Sequence, residues 1–144
     1  VERAEKVLTD FGVEFETRII SAHRTPVAAM EFASKAEENG IEVIIAAAGK
    51  AAHLGGVLAA FTPMPVIGLP VKSSTLTGLD SLLSIVQMPK GVPVATVAID
   101  GAENAGILAV QMLSLKYPEL RQAMKDYKAK MEREVMAIDA EFQK

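Results

Sequence analysis

Cysteine is absent from this chain of 144 residues, which excludes a disulfide framework and any thiolate metal site. Only two histidines are present, too few for a histidine-rich metal cage. No excess of positive charge exists either: the formal net charge is -3, so a broad basic field for nucleic acid is missing. No apolar run approaches the roughly 20 residues needed to span a bilayer, and the charged opening residues VERAEKVL do not read as a secretory signal. What the chain does have is apolar content. Half of its residues are hydrophobic, enough for one domain with a sizeable core, and these features together lead one to expect a cytoplasmic location.

The apolar residues fall into an alternating pattern. Val7, Leu8 and Phe11 follow helical spacing, and Gly12 sits where a helix end favours a left-handed residue. Residues 13–19 alternate apolar with charged side chains and predict a strand. Thr25-Pro26 predicts a helix start, with a hydroxyl cap and proline in the first turn, and Asn39-Gly40 its end. Apolar runs at 41–47, broken only by Glu42, and at 65–71 predict strands buried on both faces of a parallel sheet, and residues 94–99 predict a further strand. Helices are expected around 57–61, 78–87 and 102–115. Helix alternating with strand is the pattern of an α/β doubly wound parallel sheet, whose ligands bind at the carboxyl ends of the strands. The polar, glycine-rich segments SAHRTP, AAGKAAHLGG, LPVKSSTLTG and AIDGAEN all fall at that edge.

Two features stand apart. The first helix has no strand ahead of it, although a right-handed crossover helix is normally fed by one, so an upstream strand and its loop are expected before Val1. The second is the tail. Leu120, Met124, Tyr127, Met131, Val135, Ile138 and Phe142 recur at three- and four-residue intervals and form one apolar seam on a long charged helix. The chain thus divides into an α/β domain at 1–117 and a helix at 118–144, whose seam either contacts another subunit or folds back on its own domain.

Within the strand-end loops, His23 can exchange protons near neutral pH, or can merely cap backbone groups. Arg24, next to a helix start, offers a seat for an anion. The loop Ala48, Gly49, Lys50, Ala51, Ala52, His53, Leu54 is small and open enough for close backbone approach to a ligand, and it lacks the ending of a triphosphate-binding P-loop. His53 is either a pocket group or a satisfied histidine beneath the loop. Lys72 to Gly78 offers hydroxyls and a cation, with capping as the simpler role, and Asp80 lies in the next helix's first turn.

The strings SAHRTP at 21–26, AGKAAHLGG at 48–56, PVIGLPVKSSTLTGLDSLLSIVQMPKGVPVATVAI at 65–99 and NAGILAVQML at 104–113 resemble, in register, the carboxyaminoimidazole ribonucleotide mutases of purine biosynthesis. The resemblance covers roughly positions 13 to 115. It implies a flavodoxin-like three-layer fold, a homo-octamer, and no metal or organic cofactor. The implied reaction converts N5-carboxyaminoimidazole ribonucleotide into its 4-carboxylated isomer. Carried over by motif, His23 is the acid-base residue, Arg24 a phosphate ligand, and Ser21 a substrate-positioning group. The loop 48–54 with His53 lines the pocket for carbon dioxide and the imidazole. Ser73 and the segment to Leu76, with the loop 87–91, close over the site.

The chain departs from the family pattern in three places. The family's first strand ends in a Gly-Ser-x-Ser-Asp loop that grips the ribose phosphate, and no such loop is present. Lys50 stands where the family usually has glycine, and Gly55 where it usually has proline. Lys50 can bind an anion there or crowd the pocket. The competing readings are the sister activity that carboxylates aminoimidazole ribonucleotide directly, a relative that carboxylates a pyridine nucleotide, and a non-catalytic nucleotide-binding oligomer.

Overall fold

The computed structural model describes residues 1–74 and 76–143; Thr75, inside the segment expected to close over the site, and Lys144 lie outside the described residues. The helices are α1 (Glu2–Asp10), α2 (Pro26–Ser34), α3 (Leu54–Phe61), α4 (Leu79–Val86), α5 (Ala102–Leu113) and α6 (Pro118–Phe142). The strands are β1 (Ile44–Gly49), β2 (Val66–Val71) and β3 (Ala95–Thr96), all parallel, in the order β1-β2-β3.

Side chains alternate across the sheet and divide the core in two. Ile44, Ala46 and Val66 face α2 and α3, where Ala29, Ala33, Ala36 and Leu58 are buried. Ile67 faces the other way, towards Leu8 of α1, Ala105, Ala109 and Val110 of α5, and Met124 of α6. The result is three layers, helix-sheet-helix. Helix α1 lies close along α5 because Gly106 has no side chain: a Cβ there would stand 3.0 Å from both Ala4 O and Val7 Cβ. Ala4 packs with Leu69 and Ala102, near the carboxyl end of β2, whereas Leu8 packs with Ile67. Helix α1 therefore starts at the carboxyl edge of the sheet and runs back against the strands.

Central strand β2 contains Pro70, which cannot donate to a ladder. Its place is compatible with that loss. Backbone groups of Gly68 and Pro70 point towards β3, but the β3 ladder pairs only with Ile67 and Gly68. Beyond it, Pro70 acts as acceptor only, taking the Asp100 N–H at 2.8 Å.

One expected strand is not formed. Residues 13–19 have neither helix nor strand assignment, and Phe15 and Ile19 are exposed. Alternating polarity prepares a chain to be a strand, but a strand also needs a hydrogen-bonded neighbour. Here none adjoins these residues, and β1 is an edge of the described sheet. The first ladder strand is β1, and it starts at Ile44 rather than at Ile41. Helix α2 is shorter than expected, ending at Ser34 before turns that reach Gly40.

Helix α6 is tied to the body by its first half only. Met124 is buried, and the Tyr127 ring meets Phe11 edge-on at 5.6 Å. Met131, Val135, Ile138 and Phe142 are exposed. Where α5 passes into α6, Lys116 Nζ lies 2.6 Å from Glu42 Oε1, and the Tyr117 hydroxyl donates to Glu42 Oε2 at 2.7 Å. Those hydrogen bonds, from Lys116 first and Tyr117 second, hold the Glu42 carboxyl below its ordinary range. The bond to Glu42 in turn raises Lys116.

Candidate active site

Every loop leading from a strand into a helix lies at one edge, and each contains a non-glycine residue in the left-handed region: Lys50 at φ 57°, Thr77 at 53° and Asp100 at 56°. Such conformations cost on the order of 1 kcal/mol or more and cluster where function constrains the backbone. At the opposite edge, the positive-φ positions are glycines: Gly12, Gly40 and Gly91.

The turn ahead of α2 is held by its own side chains. The Ser21 N–H donates to Thr25 Oγ at 2.9 Å, and the Thr25 hydroxyl donates to the Ser21 carbonyl at 3.0 Å. Ser21 Oγ accepts the Arg24 N–H at 3.2 Å, with Arg24 Nε 3.5 Å away. Thr25 is thus the N-cap of α2 without using its hydroxyl as a cap; the hydroxyl clamps the turn. Its residue type and its place before Pro26 suggest a cap from sequence alone. The serine-to-threonine spacing of four across a strand-to-helix turn was the available signal.

The clamped turn presents His23. Its Nε2 lies 2.9 Å from Nδ1 of His53, a residue 30 positions away, with the rings 4.9 Å apart and nearly perpendicular. One nitrogen must donate and the other accept, so a proton entering this pair is held between two bases. His53 takes its place as the N-cap of α3, after a loop that buries Ala52 and turns at Lys50. Helix α3 begins three residues earlier than the sequence suggested, which brings His53 to its amino end. Gly55 lies in the first turn of α3, with an added Cβ 3.6 Å from Val94 Cγ1.

The expected pairing of position 23 with the loop around position 53 is therefore present. The expected shelter from water is not supplied by these two rings alone, since His23, Arg24, Lys50 and His53 are all exposed in the single chain. Ser73, expected to close over the site, is tied to the helix that follows its loop. It is buried, and its hydroxyl spans both oxygens of Asp80 at 2.8 and 2.9 Å, tying the end of β2 to α4. Gly49 and Val71 are ladder partners, so this tie sits on the same edge as the histidines. Asp100, not singled out from the sequence, accepts the Lys72 N–H at 2.9 Å and fixes the next loop. Among the described residues no group of three or more acidic, histidine or cysteine side chains could hold a metal ion. No helix among them is long and apolar enough to cross a membrane.

Known proteins are similar to this chain in sequence and fold. The family model described as AIR carboxylase matches residues 1–134. The N5-carboxyaminoimidazole ribonucleotide mutase of Thermotoga maritima is 60% identical over 136 residues, 94% of this chain and 80% of that protein. The protein of the same name from Pyrococcus abyssi is 62% identical over 133 residues, 92% of this chain and 76% of its own length. Among solved structures, Treponema denticola PurE is similar with a TM-score of 0.88 at 26% identity, over 99% of this chain and 89% of that one. That likeness bears out the flavodoxin-like fold. The chain belongs to the AIR carboxylase family.

Proposed function

We propose that the chain is an N5-carboxyaminoimidazole ribonucleotide mutase of de novo purine biosynthesis, with His23 as its acid-base residue. The observation that carries this reading is the His23–His53 pair at 2.9 Å on the edge where a doubly wound sheet binds ligands. Protonation of the N5-carbamate lets it collapse to carbon dioxide and aminoimidazole ribonucleotide. The enamine-like C4 attacks the retained carbon dioxide, and His23 removes the C4 proton to restore the aromatic ring. His53 orients the His23 ring and shares the proton. Arg24 is the phosphate ligand and Ser21 positions the substrate beside it. The loop 48–54, with Lys50 at its bend, lines the carboxyl and imidazole subsite, and Ser73 holds the neighbouring loop through Asp80. The chemistry draws on these side chains without a metal or organic cofactor.

Such a reaction needs carbon dioxide kept near a weak nucleophile and away from bulk water. Exposed rings in one chain fit a site roofed by neighbouring subunits of a homo-octamer. The bare seam Met131, Val135, Ile138 and Phe142 on the far half of α6 supplies a contact face for that assembly, so 118–144 acts as a subunit contact on the α/β domain. A cytoplasmic enzyme on a small nucleotide, engaging neither nucleic acid nor membrane, fits this reading.

The test follows conversion between the two carboxylated nucleotides by ultraviolet absorbance in the complete protein. His23→Asn should lower turnover by about 10²–10⁴-fold while leaving assembly intact. Turnover surviving that substitution sinks the assigned role. Dependence of product formation on added bicarbonate, starting from aminoimidazole ribonucleotide, would instead favour direct carboxylation.

A further inference from the structure

The strand ends beside the histidines are joined by more than the ladder. Strand β3 pairs with β2 only at Ile67 and Gly68, and one further bond follows, from the Val97 N–H to Gly68 O at 3.0 Å. The two segments then meet again at Asp100. Its N–H donates to Pro70 O at 2.8 Å, and its Oδ1 accepts the Lys72 N–H at 2.9 Å. In a parallel ladder, a residue donates its N–H to one neighbour of its opposite partner and accepts through its C=O from the other. Asp100 serves both neighbours of Val71 in this way, with its carboxylate standing where a backbone carbonyl would be.

That exchange has two results. The Asp100 carbonyl is released from the sheet and takes the Ala102 N–H at 2.8 Å, in the turn that opens α5. Register changes as well: Thr96 is opposite Gly68, but Asp100 is opposite Val71, so one extra residue is held on the β3 side. Extra residues of this kind bend a strand and redirect side chains, and they recur next to active sites. Aspartate and asparagine suit the place, being short acceptors that tolerate the left-handed backbone found there at φ 56°.

Val71 is the residue that this rung holds. Its carbonyl also accepts the Ser81 hydroxyl at 2.9 Å, and it lies 3.5 Å from where a Cβ of Gly49 would be. Gly49 is the ladder partner of Val71 and leads into the loop that turns at Lys50 and reaches His53. Asp100, Val71 and Gly49 therefore form one line across the three strand ends, and the His53 loop hangs from its last member.

We propose that Asp100 is a positioning residue for the reaction: its side-chain rung fixes Val71 against Gly49 and so sets the orientation of His53 towards His23. This inference rests on the acid-base role of His23. Misplacement by about 1 Å from a remote change can cost about a hundredfold in rate, so loss of a rung that acts through a loop should cost about tenfold.

The test compares Asp100→Gly, which suits the backbone but lacks the acceptor, with Asp100→Asn, which keeps both, in the complete protein. In Asp100→Gly, kcat for the carboxylated nucleotides should fall about tenfold with KM little changed, and Asp100→Asn should restore most of it. Nitrogen NMR of the His23 and His53 rings should show the same order: shifted in the glycine variant, close to parental in the asparagine variant. Parental kcat in Asp100→Gly overturns the proposal, as do equal losses in both variants. Should the parent turn over neither nucleotide, the functional reading fails by itself, and the ring signals still decide the positioning role. Signals unmoved in Asp100→Gly overturn it.

Discussion

Strands β1 and β2 are the same length, both are apolar, and they face each other rung by rung, yet they live in different surroundings. Ile45 and Ile67 are direct partners in the ladder. Ile67 is wholly buried, and its strand is buried from Val66 to Pro70. Ile45 is only half-buried, like Ala47, although Ile44 and Ala46 on the other face are covered. Composition does not separate the two strands. Neighbours do: among the described residues β2 lies between two strands, whereas β1 has one and an open flank.

The comparison breaks most readily at that rung. Ile67→Ala should cost about 4 kcal/mol, since a fully enclosed site cannot collapse around the cavity, and Ile45→Ala roughly 2 kcal/mol, because one side is already open. Urea denaturation of both variants measures this, and equal losses would mean that the open flank does not loosen β1. Glycines sharpen the same contrast at a smaller scale. A Cβ at Gly68 would stand 2.3 Å from Ile85 Cγ2 and 2.9 Å from Val94 Cγ1, whereas at Gly49 the nearest atom is Val71 O at 3.5 Å. Gly68→Ala should therefore cost about 2 kcal/mol by overpacking, and Gly49→Ala should be close to neutral in the same assay.

The smallest effect belongs to the opposite end of β1. Glu42 is depressed in the fold, so its contribution is present above the ordinary value of 4.5 and fades as pH falls through the lower folded value. Lys116 is raised, so its share is complete below 10.5 and is lost only above that. The pair is exposed, and solvent screens it. The gap in denaturation midpoint between the parent and Glu42→Gln should be small at neutral pH and close further below pH 4.5. A gap that widens on acidification would contradict the ion pair's role.

Much of the fold was legible because burial writes itself into apolar runs. The run at 65–71 became β2, and the proline-started helix and the long tail helix also formed as expected. Residues 13–19 were misread for a physical reason: their alternation states a preference, whereas strand formation depends on an edge elsewhere in the chain. For the site, the edge logic brought His23 and His53 to one place, but the 2.9 Å contact could not be read from two loops 30 residues apart. Hydroxyl roles were the least legible. Thr25 looked like a cap and became a clamp, and the Asp80 partner of Ser73 could not be read from its loop. A hydroxyl has several partners within reach of any turn, and only the folded backbone chooses among them.

The uneven placement of the left-handed residues has a bearing on anyone wishing to toughen this molecule. Lys50, Thr77 and Asp100 form a tensioned rim, whereas the far rim turns on relaxed glycines. Replacing the tensioned residues with glycine would ease the backbone where aim matters most, and a sturdier protein with a slacker grip would result. Improvement belongs on the quiet side, in the helices and turns remote from the imidazoles, where tightening leaves the working rim under its native load.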